Sequence, residues 1–322
     1  MEKVIDIIKK LIYFIPSVIQ YKREAKRLSK VDYFNYNELL KGDYVTPYFF
    51  NAVCAYGNYK AIENLIHRKF SFVFDYLEHG ISYSTETYTV PALGYADRFC
   101  VKNIYTYSKE RAKAIEHYLL TKNKKKKVIA VGPYILGANN FYSEEKRQEL
   151  KKKYGKILLV FPAHSMETLK SNYDIQQLLE EIDRHAKSFD TVFICLHWLD
   201  INDKEKRKQY TNGSYTLVCN GKPSDPYFLS RQRDLIELSD MVMTNALGSY
   251  IGYSVCLNKP VYFYNQKITL IGNTSRTEKD NETINKFREI FGEYSYKITK
   301  EQISMVEKIW GKWDYYTNTN NN

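Results

Sequence analysis

The sequence predicts an α/β protein with a regular strand-and-helix unit in its second half and a more irregular first half. Three observations carry this. From residue 156 onward, continuous apolar runs such as "KILLVF", "TVFICL" and "DMVMT" alternate with helical stretches, the pattern of a parallel sheet covered on both faces. Residues 138–155, "ANNFYSEEKRQELKKKYG", are the most polar passage and read as the junction. Finally, 322 residues, 44% hydrophobic and 26% charged, suffice for one large or two medium domains with ordinary cores. The expected division is a first unit over 1–145 and a Rossmann-like unit over 146–295. A C-terminal helix within 296–315 is expected to pack back on the first unit, and 316–322 to form a disordered tail.

Taken in order, "VIDIIKKLIYFIPSVIQYKREAKR" (4–27) is a basic amphipathic helix kinked or divided at Pro16, with Val4, Ile8, Leu11, Ile15 and Ile19 on one face. Such a helix either lies on an anionic membrane or packs on its own domain. An irregular aromatic stretch follows, then a helix in "YKAIENLIHRKF" and a strand running into a loop in "FSFVFDYLEHG". "NIYTYSKERAKAIEHYL" is a short strand and a helix with Ser108 as its N-cap and Glu110 in its first turn. The run "TKNKKKK" reads as a solvated loop or a phosphate surface, and it leads into a buried strand that stops at Gly132 and Pro133. The second unit then alternates strands (156–161, 191–196, 215–220, 240–245, 260–265) with helices (173–187, 230–239, 248–258). Two helices close the chain, over 280–292 and from the capping box Thr299 to Gln302.

Composition narrows the partners. The formal charge of +11 favours polyanions, whether nucleic acid, an anionic membrane or phosphorylated substrates, but the basic residues are scattered and no nucleic-acid module is present. Thirty tyrosines serve either as stacking surfaces or as core filler. The five cysteines are odd in number and lack C-x-x-C spacing, which suggests neither disulfides nor zinc and fits a reducing cytoplasm. No run approaches a bilayer span, so the expected location is cytoplasmic or peripheral on the inner face of the plasma membrane.

Neither G-x-G-x-x-G nor a Walker A loop occurs, so ordinary NAD and ATP sites lose their main support, and no cofactor is expected. In open parallel sheets ligands gather at the carboxyl ends of strands. There the sequence places Pro162, His164 and Ser165 after one strand, His197 and Trp198 after the next, and Asn245, Gly248 and Ser249 after a third. Gly248 and Ser249 open a helix whose amides suit an anion, although a serine so placed also serves as a simple cap. His197 is by itself either a strand-edge histidine or a ligand.

The segment "ELSDMVMTNALGSYIGYSVCLNKPVYFY", following a strand that ends in proline and a strand that ends in histidine, resembles the donor half of GT-B glycosyltransferases. The nearest likenesses are bacterial capsule, lipo-oligosaccharide and teichoic-acid polymer enzymes, including the CDP-glycerol glycerophosphotransferase and the sialyl- or Kdo-transferase groups. Asp240, Thr244, Asn245, Ser249, Lys259, Pro260 and Val261 fall on that pattern. His197 falls on the histidine of a His-Pro pair, with Trp198 in place of the proline. "EHG" at residues 78–80 resembles the H-G loop of the acceptor domain.

The resemblance implies a GT-B-like fold of two Rossmann-like domains facing a cleft, the N-terminal one reduced or irregular, and a metal-independent transfer of sugar from a CMP-, CDP-, UDP- or GDP-linked donor to a surface glycan or glycolipid. His164, Ser165, His197, Arg231, Asn245, Gly248 and Ser249 would bind the donor, and His79, Glu78 or Glu86 would act as base. A sugar-nucleotide epimerase on the same scaffold and a non-catalytic membrane-associated assembly protein are the alternatives.

Overall fold

In the computed structural model the described residues are 18–42, 56–72, 74–78, 100–166, 168–211, 214–272 and 278–313. The first half supplies α1 (18–28), α2 (Tyr36–Leu39), α3 (Asn58–Ile66), β1 (Asp75–Leu77), β2 (Asn103–Thr106), α4 (Lys109–Thr121) and β3 (Lys127–Ala130). Ser108 caps α4 as expected, its hydroxyl accepting from the Arg111 amide at 3.2 Å. β1, β2 and β3 form a parallel sheet in that order. A 3₁₀ turn, Tyr134–Gly137, then leads to α5 (Glu144–Tyr154). Glutamates in the first turn of α5 and lysines in its last complement the helix dipole in a segment that buries only Leu150.

The second half contains β4 (Ile157–Phe161), β5 (Leu169–Asn172), α6 (Ile175–Ala186), β6 (Thr191–Cys195), α7 (Trp198–Asn202), α8 (Lys204–Gln209) and β7 (Thr216–Val218). It continues with α9 (Phe228–Leu238), β8 (Met241–Thr244), α10 (Ser249–Cys256), β9 (Val261–Phe263), β10 (Thr269–Gly272), α11 (Glu278–Phe291) and α12 (Lys300–Trp310). Five strands pair in the order β7-β6-β4-β8-β9, all parallel, with Leu159 of β4 set between Phe193 and Val242. The protein is thus α/β with parallel sheets, as the apolar runs predict.

Side-chain alternation on β4 divides the core. Ile157, Leu159 and Phe161 pack with Leu235, Ile251, Phe287 and Trp310 on one face. Leu158 and Val160 pack with Leu178 and Ile182 of α6 on the other. That second face also takes Leu28 and Leu39. The segment 18–42, grouped by sequence with the first unit, therefore packs on the larger sheet, and the Cys219 amide donates to the Tyr33 carbonyl at 2.9 Å.

The capping box at Thr299 and Gln302 is present, and α12 packs on α10, α11 and α4. β5 and β10 form a separate antiparallel pair that no apolar run announces. Among the described residues no helix is long and apolar enough to cross a membrane. Most of the basic amphipathic stretch and the C-terminal tail lie outside the described residues.

Candidate functional site

Four of the five parallel strands of the larger sheet release their chains into one cavity of about 150 Å³. Its wall includes Phe161, Pro162 and His164 after β4, Leu196 and His197 after β6, Asn220 and Gly221 after β7, and Gly248, Ser249 and Tyr250 after β8. The other half contributes Tyr107, directly after β2, and Asn58, at the start of α3. The carboxyl ends of both parallel sheets therefore meet at the cavity. Tyr107 and Tyr253 touch across it, hydroxyl to hydroxyl at 3.3 Å, and Tyr107 stacks on Tyr134 at 3.8 Å between ring centres.

The turn after β8 is shaped by packing. Gly248 is the N-cap residue of α10, and no side chain caps the helix. A Cβ on Gly248 would lie 2.4 Å from the Tyr250 ring, which itself stacks on Phe161 with 4.7 Å between centres. Glycine is required there so that the tyrosine can lie against the strand end. Ser249 is the first helical residue rather than the cap, and with Gly248 and Tyr250 it lines the cavity at the start of α10. The alternative in which this serine merely caps its helix does not hold.

His164 and His197 stand together, ring centres 4.5 Å apart. Burial lowers the proton affinity of both, and for His197 the neighbouring His164 and then Lys206 lower it further, well below the ordinary histidine value. The pair is neutral at pH 7. Both ring nitrogens of His197 and Oδ1 of Asn220 are buried, and among the described residues none of the three has a hydrogen-bond partner. Buried polar atoms are normally paired, so these three stand out among the residues around the cavity. Asn58 and Gln232 are also buried and line the same cavity.

The remaining residues singled out in sequence hold the walls. Ser165 donates its hydroxyl to Asp200 Oδ1 at 2.7 Å and its amide to Oδ2 at 2.9 Å, while Lys206 Nζ donates to Asp200 Oδ1 and to Ser171 Oγ, each at 2.8 Å. This buried knot fixes the loop that carries His164. Asn245 Oδ1 accepts from the Ala163 amide at 2.7 Å, and its amide donates to Gln266 Oε1 at 2.7 Å. Both residues position the loop, and neither lines the cavity.

Two expectations are corrected. Arg231 is fully buried, paired with Asp225 at 2.6 Å, and donates to the carbonyls of Leu28, Val31 and Asn220. Its guanidinium is spent on the framework, and among the described residues no lysine or arginine lines the cavity. Glu78 is also buried, Oε1 taking Arg111 Nε at 2.6 Å and Oε2 the Thr106 hydroxyl at 2.5 Å. A carboxylate so paired is poorly placed to take a proton from an acceptor. His79 and Glu86 lie outside the described residues.

Sequence reading missed Asn58, Tyr107, Asn220 and Gln232. The spacing of Leu229, Gln232 and Ile236 puts Gln232 on the apolar stripe of α9, a signal that marks a polar residue facing inward.

No protein-family model and no curated protein matches the chain. Among solved structures it is similar to S. aureus MnaA with UDP, at 15% identity over 60% of this chain and 51% of that one, TM-score 0.34. It is similar to the UDP-GlcNAc 2-epimerase of Methanocaldococcus jannaschii, at 13% identity over 92% and 76% of the two chains, TM-score 0.39. In complex with UDP-GlcNAc and UDP, the M. jannaschii epimerase matches over 56% of its chain, so this chain spans little more than half the length of that structure and of MnaA. Anabaena Alr3699/HepE in complex with UDP-glucose matches at 17% identity over 81% and 73%, TM-score 0.35. Likenesses at these scores carry no argument about what this chain binds, which rests on its own cavity.

Proposed function

We propose that the chain is a GT-B-like, metal-independent glycosyltransferase that moves a sugar from a nucleotide-linked donor to a surface glycan or glycolipid. One observation carries this reading: the carboxyl ends of two parallel sheets meet at a cavity bordered by an uncapped helix N-terminus and by a neutral histidine with ring nitrogens unpartnered among the described residues. Breaking a glycosyl phosphate bond puts negative charge on the departing phosphate. The α10 amides and the Ser249 hydroxyl are fixed donors toward that charge, and a neutral His197 donates through one ring nitrogen. Without a cation in the described wall, charge is met by oriented dipoles. Asn58, Asn220 and Gln232 supply amides able to read hydroxyls or a base edge on the rest of the donor.

A thermal-shift panel of CMP, CDP, UDP and GDP tests the reading. One nucleotide is expected to raise the melting temperature of the wild type, with the rise reduced in Ser249→Ala and His197→Ala. Stabilisation by none of the four overturns it. Incubating a stabilising nucleotide's sugar conjugate alone separates the alternatives, because an epimerase converts the donor without an acceptor and a transferase requires one.

A further inference from the structure

The small sheet has a second end. Because β1, β2 and β3 are parallel, the residues that precede them share the edge opposite the cavity. Phe74 precedes β1, Lys102 precedes β2, and the turn at 122–126 precedes Lys127 of β3. Contacts tie these into one surface: the Lys102 amide donates to the Phe74 carbonyl, the Lys127 amide to the Lys102 carbonyl, and the Lys102 ammonium stands 4.8 Å from the Phe74 ring centre. Two large apolar side chains are exposed here, Leu120 at 67% and Phe74 at 45%. Lys122, Lys125 and Lys127 are exposed with them. A groove of about 530 Å³ lined by Arg68, Ser71, Phe74, Asp75, Lys102 and Lys127 opens beside this edge on the face of the sheet opposite α4. Among the described residues the one carboxylate lining it, that of Asp75, is paired with Arg68.

From this we infer that the strand-start edge of the small sheet docks on an anionic lipid bilayer. Lysines grouped on one edge attract a negatively charged leaflet, and each adds to binding within a Debye length. Exposed Leu120 and Phe74 favour a bilayer over a free polyanion, since apolar side chains gain by entering the acyl boundary and gain little from phosphates in water. Residues 103 to 107 span about 13 Å at the rise of a β-strand. That separation keeps the cavity beside Tyr107 clear of the surface yet near it. This inference does not depend on the proposed chemistry.

Co-sedimentation of the full chain with vesicles of phosphatidylcholine alone, or of phosphatidylcholine with phosphatidylglycerol, tests it. Binding is expected only to the anionic vesicles and is expected to weaken with salt. The triple change Lys122→Glu, Lys125→Glu and Lys127→Glu is expected to lower affinity at least about tenfold. Leu120→Ser, with charge unchanged, is expected to lower it several-fold. Absence of binding to anionic vesicles overturns the inference, as does wild-type affinity in the triple variant. Loss of binding in Lys9→Glu, Lys10→Glu with the patch intact would overturn the inference and move the contact to the N-terminal segment. Tighter binding to an RNA oligonucleotide than to vesicles at equal salt would make the patch a nucleic-acid surface.

Discussion

His197 is held where a histidine gains little by being held. Its ring nitrogens are buried and, among the described residues, unpartnered, a cost of about 1–3 kcal/mol for each polar group left so. A residue kept for packing would be replaced to advantage by an apolar ring. His197→Phe is therefore expected to leave stability unchanged or raise it by about 1 kcal/mol, while lowering affinity for the stabilising nucleotide at least about tenfold. Urea unfolding and calorimetric titration of one preparation measure both, and a destabilised variant with intact binding would give the ring a structural task. The same burial makes a pH prediction. His164 and His197 bind protons more weakly in the folded chain than in the unfolded one. Their contribution to stability is thus complete above about pH 6.5 and is lost as pH falls from there toward the lowered folded values. An anion placed beside His197 raises its proton affinity again, so nucleotide binding near pH 6 is expected to take up protons. Titration in buffers of different ionisation enthalpy reads that uptake directly, and zero uptake would place the phosphates away from the ring.

At the scale of elements, the cavity is built by clamps of long sequence reach. Arg231 on α9 joins the loop after β7 to the chain at Leu28 and Val31, and its partner Asp225 has its carboxyl pushed upward by burial against the pull of the guanidinium. Removing one member of a fully buried pair strands the other, so Arg231→Met is expected to cost about 3–5 kcal/mol in urea unfolding. Gly252 makes a different contact. A Cβ there would lie 2.2 Å from the Trp310 ring, so Gly252→Ala is expected to push α12 off α10 and cost about 1–3 kcal/mol, seen as a lower melting temperature. These contacts also mark what sequence makes legible. β4, β6 and β8 are continuous apolar runs because each is covered on both faces, and the helix at Ser249 follows from the glycine before it. The caps at Ser108 and Thr299 depend on residues three apart and are equally readable. The resemblance assigns Arg231 to the donor, whereas its guanidinium serves the framework through acceptors that include the carbonyls of Leu28 and Val31, about 200 positions away and beyond the reach of any local pattern. The β5–β10 pair joins "LKSN" to "TLIG", short segments with no shared periodicity, and only tertiary pairing reveals it.

Across the whole molecule, hydrogen bonds tie the first half of the chain to the second at more than one place. At one, the Tyr56 amide donates to the Pro223 carbonyl at 2.8 Å. At another, the polar junction runs past Asp234 of α9, whose oxygens accept from the Tyr142 amide and the Asn140 side chain, each at 2.8 Å. Burial pushes the Asp234 carboxyl up to about 6, more than these hydrogen bonds and nearby Arg147 pull it down. The folded chain therefore holds a proton at Asp234 between about pH 4 and 6 that the unfolded chain has released. Stability from this group is present at low pH and falls as pH rises through 6, opposite in sign to the histidine pair, by up to about 3 kcal/mol. Asp234→Asn keeps an acceptor for Tyr142 and removes the titration. The difference in unfolding free energy between wild type and variant is expected to shift in favour of the variant by about 2 kcal/mol from pH 4.5 to pH 7, and that difference cancels the histidine contribution common to both chains. Burial outweighs the hydrogen bonds from Tyr142 and Asn140, which favour the charged form, so ionisation of Asp234 lowers the stability of the fold that holds the junction against α9. Amide exchange at Asn140 to Tyr142 is accordingly expected to quicken above pH 6 in the wild type, after correction for the intrinsic pH dependence of exchange, and not in the variant. Equal pH dependence in the two proteins would show that the junction is held without regard to the charge on Asp234.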